Sequence, residues 1–216
     1  MRYAILCLAL AGCAGSPGAS GDLDALPARL GSVVEAGFVV PEPPPVPPEI
    51  ARTVEETTYP IEGATPEAIR ASMNARTPFG DGTGGPHGFT TWSMRWTFDD
   101  APAEGGCRVE NVRITLDLVT TTYGWDPPPG VGPELTRAAR EDQARLLAHE
   151  RGHQTIDLLG AMDVLDTLRG RTGSCRRLRA EANAAAQAVL DDIRAVNRAY
   201  DAATQSGTVP PPGAQS

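Results

Sequence analysis

The chain has three histidines, and two of them stand in His149-Glu150-Arg151-Gly152-His153. Positions i and i+4 lie on one face of an α-helix, a turn apart, so both imidazoles can converge on one Zn2+. The glutamate at i+1 sits beside them, near an open coordination position. There it can take a proton from the water that the metal activates and pass it to the leaving amine of a peptide bond. Chance alone gives roughly 0.002 such matches in a chain of this composition. The motif is therefore read as a zinc site, with His149 and His153 as ligands and Glu150 as general base. A solvated polar patch on a surface helix is the competing reading.

Zinc needs a third protein ligand. Glu181, on the following helix, is the tentative choice, because a carboxylate from a following helix completes the site in glutamate-type zincins. An i,i+4 surface pair with Arg177 accounts for it equally well. Asp157 continues the motif's face at i+8 but is too far along a straight helix for a short side chain. It is expected to orient His153 from behind or to be solvated. Asp163, Asp166 and His87 are weaker candidates. Tyr200 and Asp201 read as a packing tyrosine and a capping aspartate; a tyrosine near zinc can instead donate to an oxyanion.

The elements that must carry these residues are legible. Residues 134–169 are rich in Ala, Leu, Arg and Glu with no Pro, and read as one long helix. A break at 170–174 precedes a second helix over 175–204, with Leu178, Ala182, Ala185, Val189, Ile193, Val196 and Tyr200 on one face. Upstream, 53–61, 90–98 and 108–122 alternate as strands. In the last of these, Val109 is set on the face opposite Val112, Ile114, Leu116 and Leu118. Thr65-Pro66-Glu67 opens a short helix to about residue 75. Trp92 and Trp96 are expected in the core or at the rim of the sheet, with a substrate groove as the alternative. The predicted class is α+β: a small antiparallel sheet with one short helix, then a long two-helix hairpin, zincin-like, carrying the motif.

The N-terminus reads as an address. Arg2 and the apolar residues 3–11 form a signal peptide over 1–12, too short to span a bilayer. Leu10-Ala11-Gly12-Cys13 resembles a bacterial lipobox, which implies cleavage before Cys13, its acylation and a membrane anchor. Ala14 after it favours the outer membrane, facing the periplasm, by resemblance to sorted lipoproteins. Residues 13–50 are expected to be the lipidated Cys and a Pro-rich tether, 51–205 the folded domain, and 206–216 a disordered tail. Cys107 and Cys175 then remain as an even pair, read as a disulfide. A net charge of −8 with 19 Arg and no Lys argues against a nucleic-acid partner. The expected partners are the membrane, through the lipid, and a peptide or protein substrate.

Several features in order resemble a bacterial family, domain of unknown function 922, described as secreted and Zn-dependent-protease-like. They are Tyr59 to Arg76, the paired tryptophans of Thr91-Trp92-Ser93-Met94-Arg95-Trp96, Cys107, His149 to His153, Cys175, and Tyr200-Asp201-Ala202-Ala203-Thr204. The resemblance implies a zincin-like fold. Where the family pattern continues with a His two residues past the Thr, this chain has Ser206. If that His is the family's third ligand, this chain lacks it. The reading is an envelope-anchored zinc metallopeptidase; the alternative is a non-catalytic binding or scaffold lipoprotein.

Overall fold

The computed structural model describes residues 5–7, 25–80 and 84–204, with 5–7 described by backbone alone. Cys13, the lipobox and the tail from 205 onward lie outside the described residues. Strands β3 (Phe89–Ala103) and β4 (Gly106–Trp125) make a long hairpin, turning on Glu104 and Gly105. Gly105 takes φ +75°, a conformation that glycine adopts in a tight turn without steric cost. Strand β2 (Ile50–Ile61) runs parallel to β4 on its other side, from Ile50 opposite Ile114 to Ile61 opposite Trp125. Strand β1 (Ile5–Cys7) lies antiparallel to β3, and the two-residue β5 (Thr172–Gly173) extends β4 at Cys107 and Arg108. The sheet order is β1-β3-β4-β2.

The sheet is thus mixed, not antiparallel as expected. The physical reason is the connection after β2. Helix α2 (Pro66–Arg76) and the segment up to 88 give the chain length to cross over, so β2 and β4 point the same way. Thr65 caps α2 as anticipated, accepting from Ala68 N at 3.2 Å, with Pro66 at the first helical position.

Helices α3 (Pro133–Leu168) and α4 (Leu178–Thr204) form the hairpin expected from the sequence. They cover one face of the sheet. Trp92, Met94, Trp96 and Phe98 of β3, with Ile114, Leu116 and Leu118 of β4, pack against Ile156, Val164 and Leu165 of α3 and Val189, Ile193 and Val196 of α4. Both tryptophans are core residues, 4 % and 3 % exposed, and Trp96 Nε1 donates to Asn183 on α4. Among the described residues neither lines a groove around the histidines.

Strict alternation fails once on β4. Val109 is buried on the same side as Val112 to Leu118, although it was placed on the opposite face. Asn111, at φ +52°, sits at a register shift opposite Thr97–Asp99, and such a bulge swaps the faces beyond it.

A helix lies inside the segment 13–50 that was expected to be the tether. Helix α1 (Ala28–Glu35) buries Leu30 and Val33 in the main core. Pro27 offers no side-chain cap, and Asp163 of α3 supplies one, accepting from Leu30 N at 3.1 Å and from Arg29 Nη1 at 3.1 Å. Asp166 takes the other Arg29 contact at 2.6 Å. Both aspartates are committed to docking α1, which removes them as metal ligands.

Cys107 and Cys175 are joined in a disulfide across 68 residues. It ties the start of β4 to the turn between α3 and α4. A loop of that size is constrained by about 4 kcal/mol on the chain-entropy model.

Candidate metal centre

The motif lies in the middle of α3, and the antiparallel hairpin decides what faces it. Residues equidistant from the turn meet: His153 faces Asn197, and His149 faces Asp201. The three atoms His149 Nε2, His153 Nε2 and Asp201 Oδ1 form a nearly equilateral triangle. Its sides are 3.1 Å between the nitrogens and 3.2 and 3.0 Å to the carboxylate oxygen. The edge of a tetrahedron built on Zn–N and Zn–O distances is about 3.3 Å. Three ligand atoms that close, all aimed inward, are electrostatically tenable only with a proton or a cation between them. The His149/His153/Asp201 group therefore fits a metal ion.

The outer nitrogens fix the tautomers. Asn197 Nδ2 donates to Asp157 Oδ1 at 2.8 Å and to Ile193 O at 3.1 Å, so its Oδ1 turns to His153 Nδ1 at 2.6 Å. An amide oxygen only accepts, so His153 carries its hydrogen on Nδ1 and offers Nε2 as a lone pair. On His149, Nδ1 meets the Thr204 hydroxyl at 3.1 Å, while that hydroxyl donates to Tyr200 O at 2.7 Å. His149 Nε2 is likewise left for the centre. Asp157 is fully buried, and burial pushes its carboxyl up to about 7 against the opposing Asn197 hydrogen bond. It orients His153 through Asn197 instead of by direct contact.

Burial lowers the His153 imidazole, but the Asp201 hydrogen bond and charge, with Glu150 behind them, outweigh it and raise it to about 9. A histidine raised above its unfolded value of 6.5 stabilises the metal-free fold fully below 6.5, and this contribution is lost as pH rises through 9. A metal must displace that proton. The apparent zinc association constant should therefore rise about tenfold per pH unit between about 6.5 and 8.5, with one proton released. Chelator competition at three pH values checks this; a flat profile would contradict it.

Glu150 is 3 % exposed. Its Oε2 accepts from the Thr90 hydroxyl at 2.8 Å. Thr90 in turn meets Thr120 at 2.9 Å, and Gln154 Nε2 donates to Thr120 at 2.9 Å. One oxygen is thus anchored to the sheet. The other, Oε1, lies against Gly88, where a Cβ would stand only 2.7 Å away. Burial raises the Glu150 carboxyl, opposed by His153, Thr90 and His149. That direction suits a base working near neutral pH. Gly85, Gly88, Phe89 and Thr90 join the two histidines, Glu150 and Asp201 around a cavity of about 320 Å3.

Glu181 does not belong to this centre. Four residues into α4, it lies by the turn beside Gly173, and its carboxylate meets Arg177 Nε at 3.5 Å. His87 lends its loop, not its ring, to the cavity: Nε2 bonds Asn74 at 2.9 Å, and its carbonyl accepts from Tyr59 at 3.1 Å. Tyr200 is fully buried and stacks on His149 with centroids 4.9 Å apart. Its hydroxyl points at His149 O and at Gly152, away from the cavity, so it backs the histidines and is no oxyanion donor.

Gly152 makes that stacking possible. A Cβ there would sit 2.6 Å from Tyr200 Cζ. Gly152→Ala should gain about 1 kcal/mol of helix propensity and still lose about 1–3 kcal/mol net through overpacking. Thermal unfolding together with a zinc titration checks it, and a more stable variant with wild-type affinity would contradict it.

Sequence reasoning missed Asp201, Asn197, Thr204 and Thr90. Three of them carried a signal. The apolar stripe of α4 runs on to Tyr200, and from Asn197 onward polar residues, Asn197, Asp201 and Thr204, stand beside it.

Residues 56–207 match the family model described as a bacterial protein of unknown function (DUF922). The chain belongs to this family. The match includes every residue of the centre. No curated protein and no solved structure matches the chain. This DUF922 protein is bacterial and holds a disulfide, which fits an extracytoplasmic location. No described helix is long and apolar enough to cross a membrane.

Proposed function

We propose that this DUF922 protein is an envelope-anchored zinc metallopeptidase. The observation that carries this reading is the placement of Glu150. A carboxylate that is costly to bury has one oxygen anchored by Thr90 and the other beside Gly88, and it lines the same cavity as the ligand triangle. A zinc store or a scaffold needs no such group. Zinc held by His149, His153 and Asp201 would supply a Lewis acid that makes water acidic near neutral pH. Glu150 takes the water proton at Oε1 while Thr90 holds Oε2. It then returns that proton to the amine nitrogen as the C–N bond breaks and the carbonyl carbon keeps the water oxygen. Phe89, Gly85 and Gly88 line the cavity beside the ligand triangle. Zinc-loaded protein should cleave a mixed peptide library, and a chelator should stop it; zinc-loaded protein that cleaves nothing above background counts against the reading.

The anchor belongs to the same proposal, resting on Leu10-Ala11-Gly12-Cys13, and cleavage before Cys13 would remove β1 and leave β3 as that edge of the sheet. Cys13→Ser should move the protein from the membrane to the soluble fraction or leave it uncleaved. Unchanged fractionation, with a free thiol at Cys13, would sink this part.

A further inference from the structure

Strand β2 forms an outer edge of the sheet, and it is an unusual one. Ala51 through Glu56 are all exposed, six residues in a row, because α3 lies over β3 and β4 and leaves β2 overhanging. Val54, among the few exposed large apolar residues described, sits in the middle at 38 %. The direction of the backbone groups follows from the ladder. Ile114 N donates to Glu49 O at 2.8 Å, and the β2–β4 register runs unbroken to Ile61. The N–H and C=O groups of odd-numbered residues therefore face β4, and those of Arg52, Val54, Glu56 and Thr58 face outward. Pro60, without an N–H, falls at an outward position, as edge strands permit.

We infer that this edge pairs with the β2 edge of a second copy of the chain, antiparallel, with the two-fold axis at Val54. Continuing a sheet about a perpendicular two-fold axis requires opposed residues to be of the same parity. With Val54 opposite its own copy, the outward groups of Arg52 and Glu56 meet those of Glu56 and Arg52 of the other chain. Backbone register and charge then agree: two Arg–Glu cross-strand pairs flank a Val–Val contact. Glu56 already pairs with Arg151 of its own chain, at 3.2 and 3.3 Å, so in the dimer its carboxylate is shared with Arg52 of the other copy; Arg52 has no ion pair among the described residues. Neighbouring registers fail. An axis at Glu55 opposes Glu55 to itself, and an axis at Thr53 sets Arg52 against Val54. Charges on an edge strand ordinarily block pairing; these permit one register and reject its neighbours.

The test is made on the full chain in cells, through Val54→Cys. Opposed Cα atoms in a hydrogen-bonded antiparallel pair stand about 5.5 Å apart, within the ~4.4–6.8 Å that a disulfide spans. Mild oxidation should give a crosslinked dimer at twice the mass of the single chain as it runs from the same cells under reducing conditions. Its yield should exceed that of Glu104→Cys, at the exposed hairpin tip, by about tenfold. Arg52→Glu added to Val54→Cys should cut the yield about tenfold by opposing two acidic pairs. Adding Glu56→Arg to that variant should restore it. All four positions are exposed, and unchanged circular dichroism excludes misfolding. A yield no higher than the Glu104→Cys control, a crosslinked band of another mass, or a charge swap without rescue would each overturn the pairing.

Discussion

Asp201→Ala should leave the chain without stoichiometric zinc, while Glu181→Ala should bind zinc as the wild type does. Asp201 Oδ1 closes the triangle with the two Nε2 atoms at 3.0 and 3.2 Å. Without it two imidazoles remain, and a two-ligand site chelates weakly; the affinity should fall by several orders of magnitude, on the order of 10^3-fold or more. Glu181 is half-exposed and pairs with Arg177, its one ion-pair partner among the described residues. Its loss should cost at most about 0.5 kcal/mol of stability. Zinc titration of both variants against a chromophoric chelator reads the difference directly. Equal loss in both, or loss in Glu181→Ala only, would return the third position to the turn.

Glu150→Gln should separate binding from turnover. The amide keeps the size of the side chain and can still accept from Thr90 through its oxygen. It is not a ligand, so zinc stoichiometry should be unchanged. It cannot take up a proton, so kcat should fall by about 10^2–10^4-fold with little change in KM. Removing a buried carboxylate also relieves its desolvation, so the metal-free variant should unfold at the same temperature or higher. Turnover within a few-fold of the wild type would show that Glu150 is not the base.

The histidines and Glu150 were legible because their chemistry is local: i, i+1 and i+4 on one helix need no tertiary information. Asp201 was not, since its role comes from the hairpin. Choosing Glu181 ignored the distance from each residue to the turn. The motif lies well back from the end of α3, so its partner must lie equally far into α4, where the Asn197–Asp201–Thr204 face stands. Thr90 escaped notice because the link between β3 and Glu150 is a contact across layers. The strands themselves were visible in their alternation, but the parallel pairing of β2 and β4 was not, because alternation carries no direction. The bulge at Asn111 was hidden for a related reason: nothing in Val109 to Val112 marks one residue as extra until a partner strand is laid beside it. Helix α1 was underweighted because its cap comes from Asp163, more than a hundred residues away.

Everything proposed for the site requires that His149, His153 and Asp201 hold a single zinc ion beside Glu150. Its most direct test is a zinc titration of the purified metal-free full chain at pH 7.5, with X-ray absorption of the loaded protein. The account predicts one zinc per chain, bound at nanomolar or tighter affinity, with two imidazole nitrogens at about 2.0–2.1 Å and carboxylate oxygen at about 2.0–2.2 Å. A chain that binds no zinc at micromolar concentration, prefers iron(II) over zinc, or shows a coordination shell with fewer than two imidazoles would contradict it.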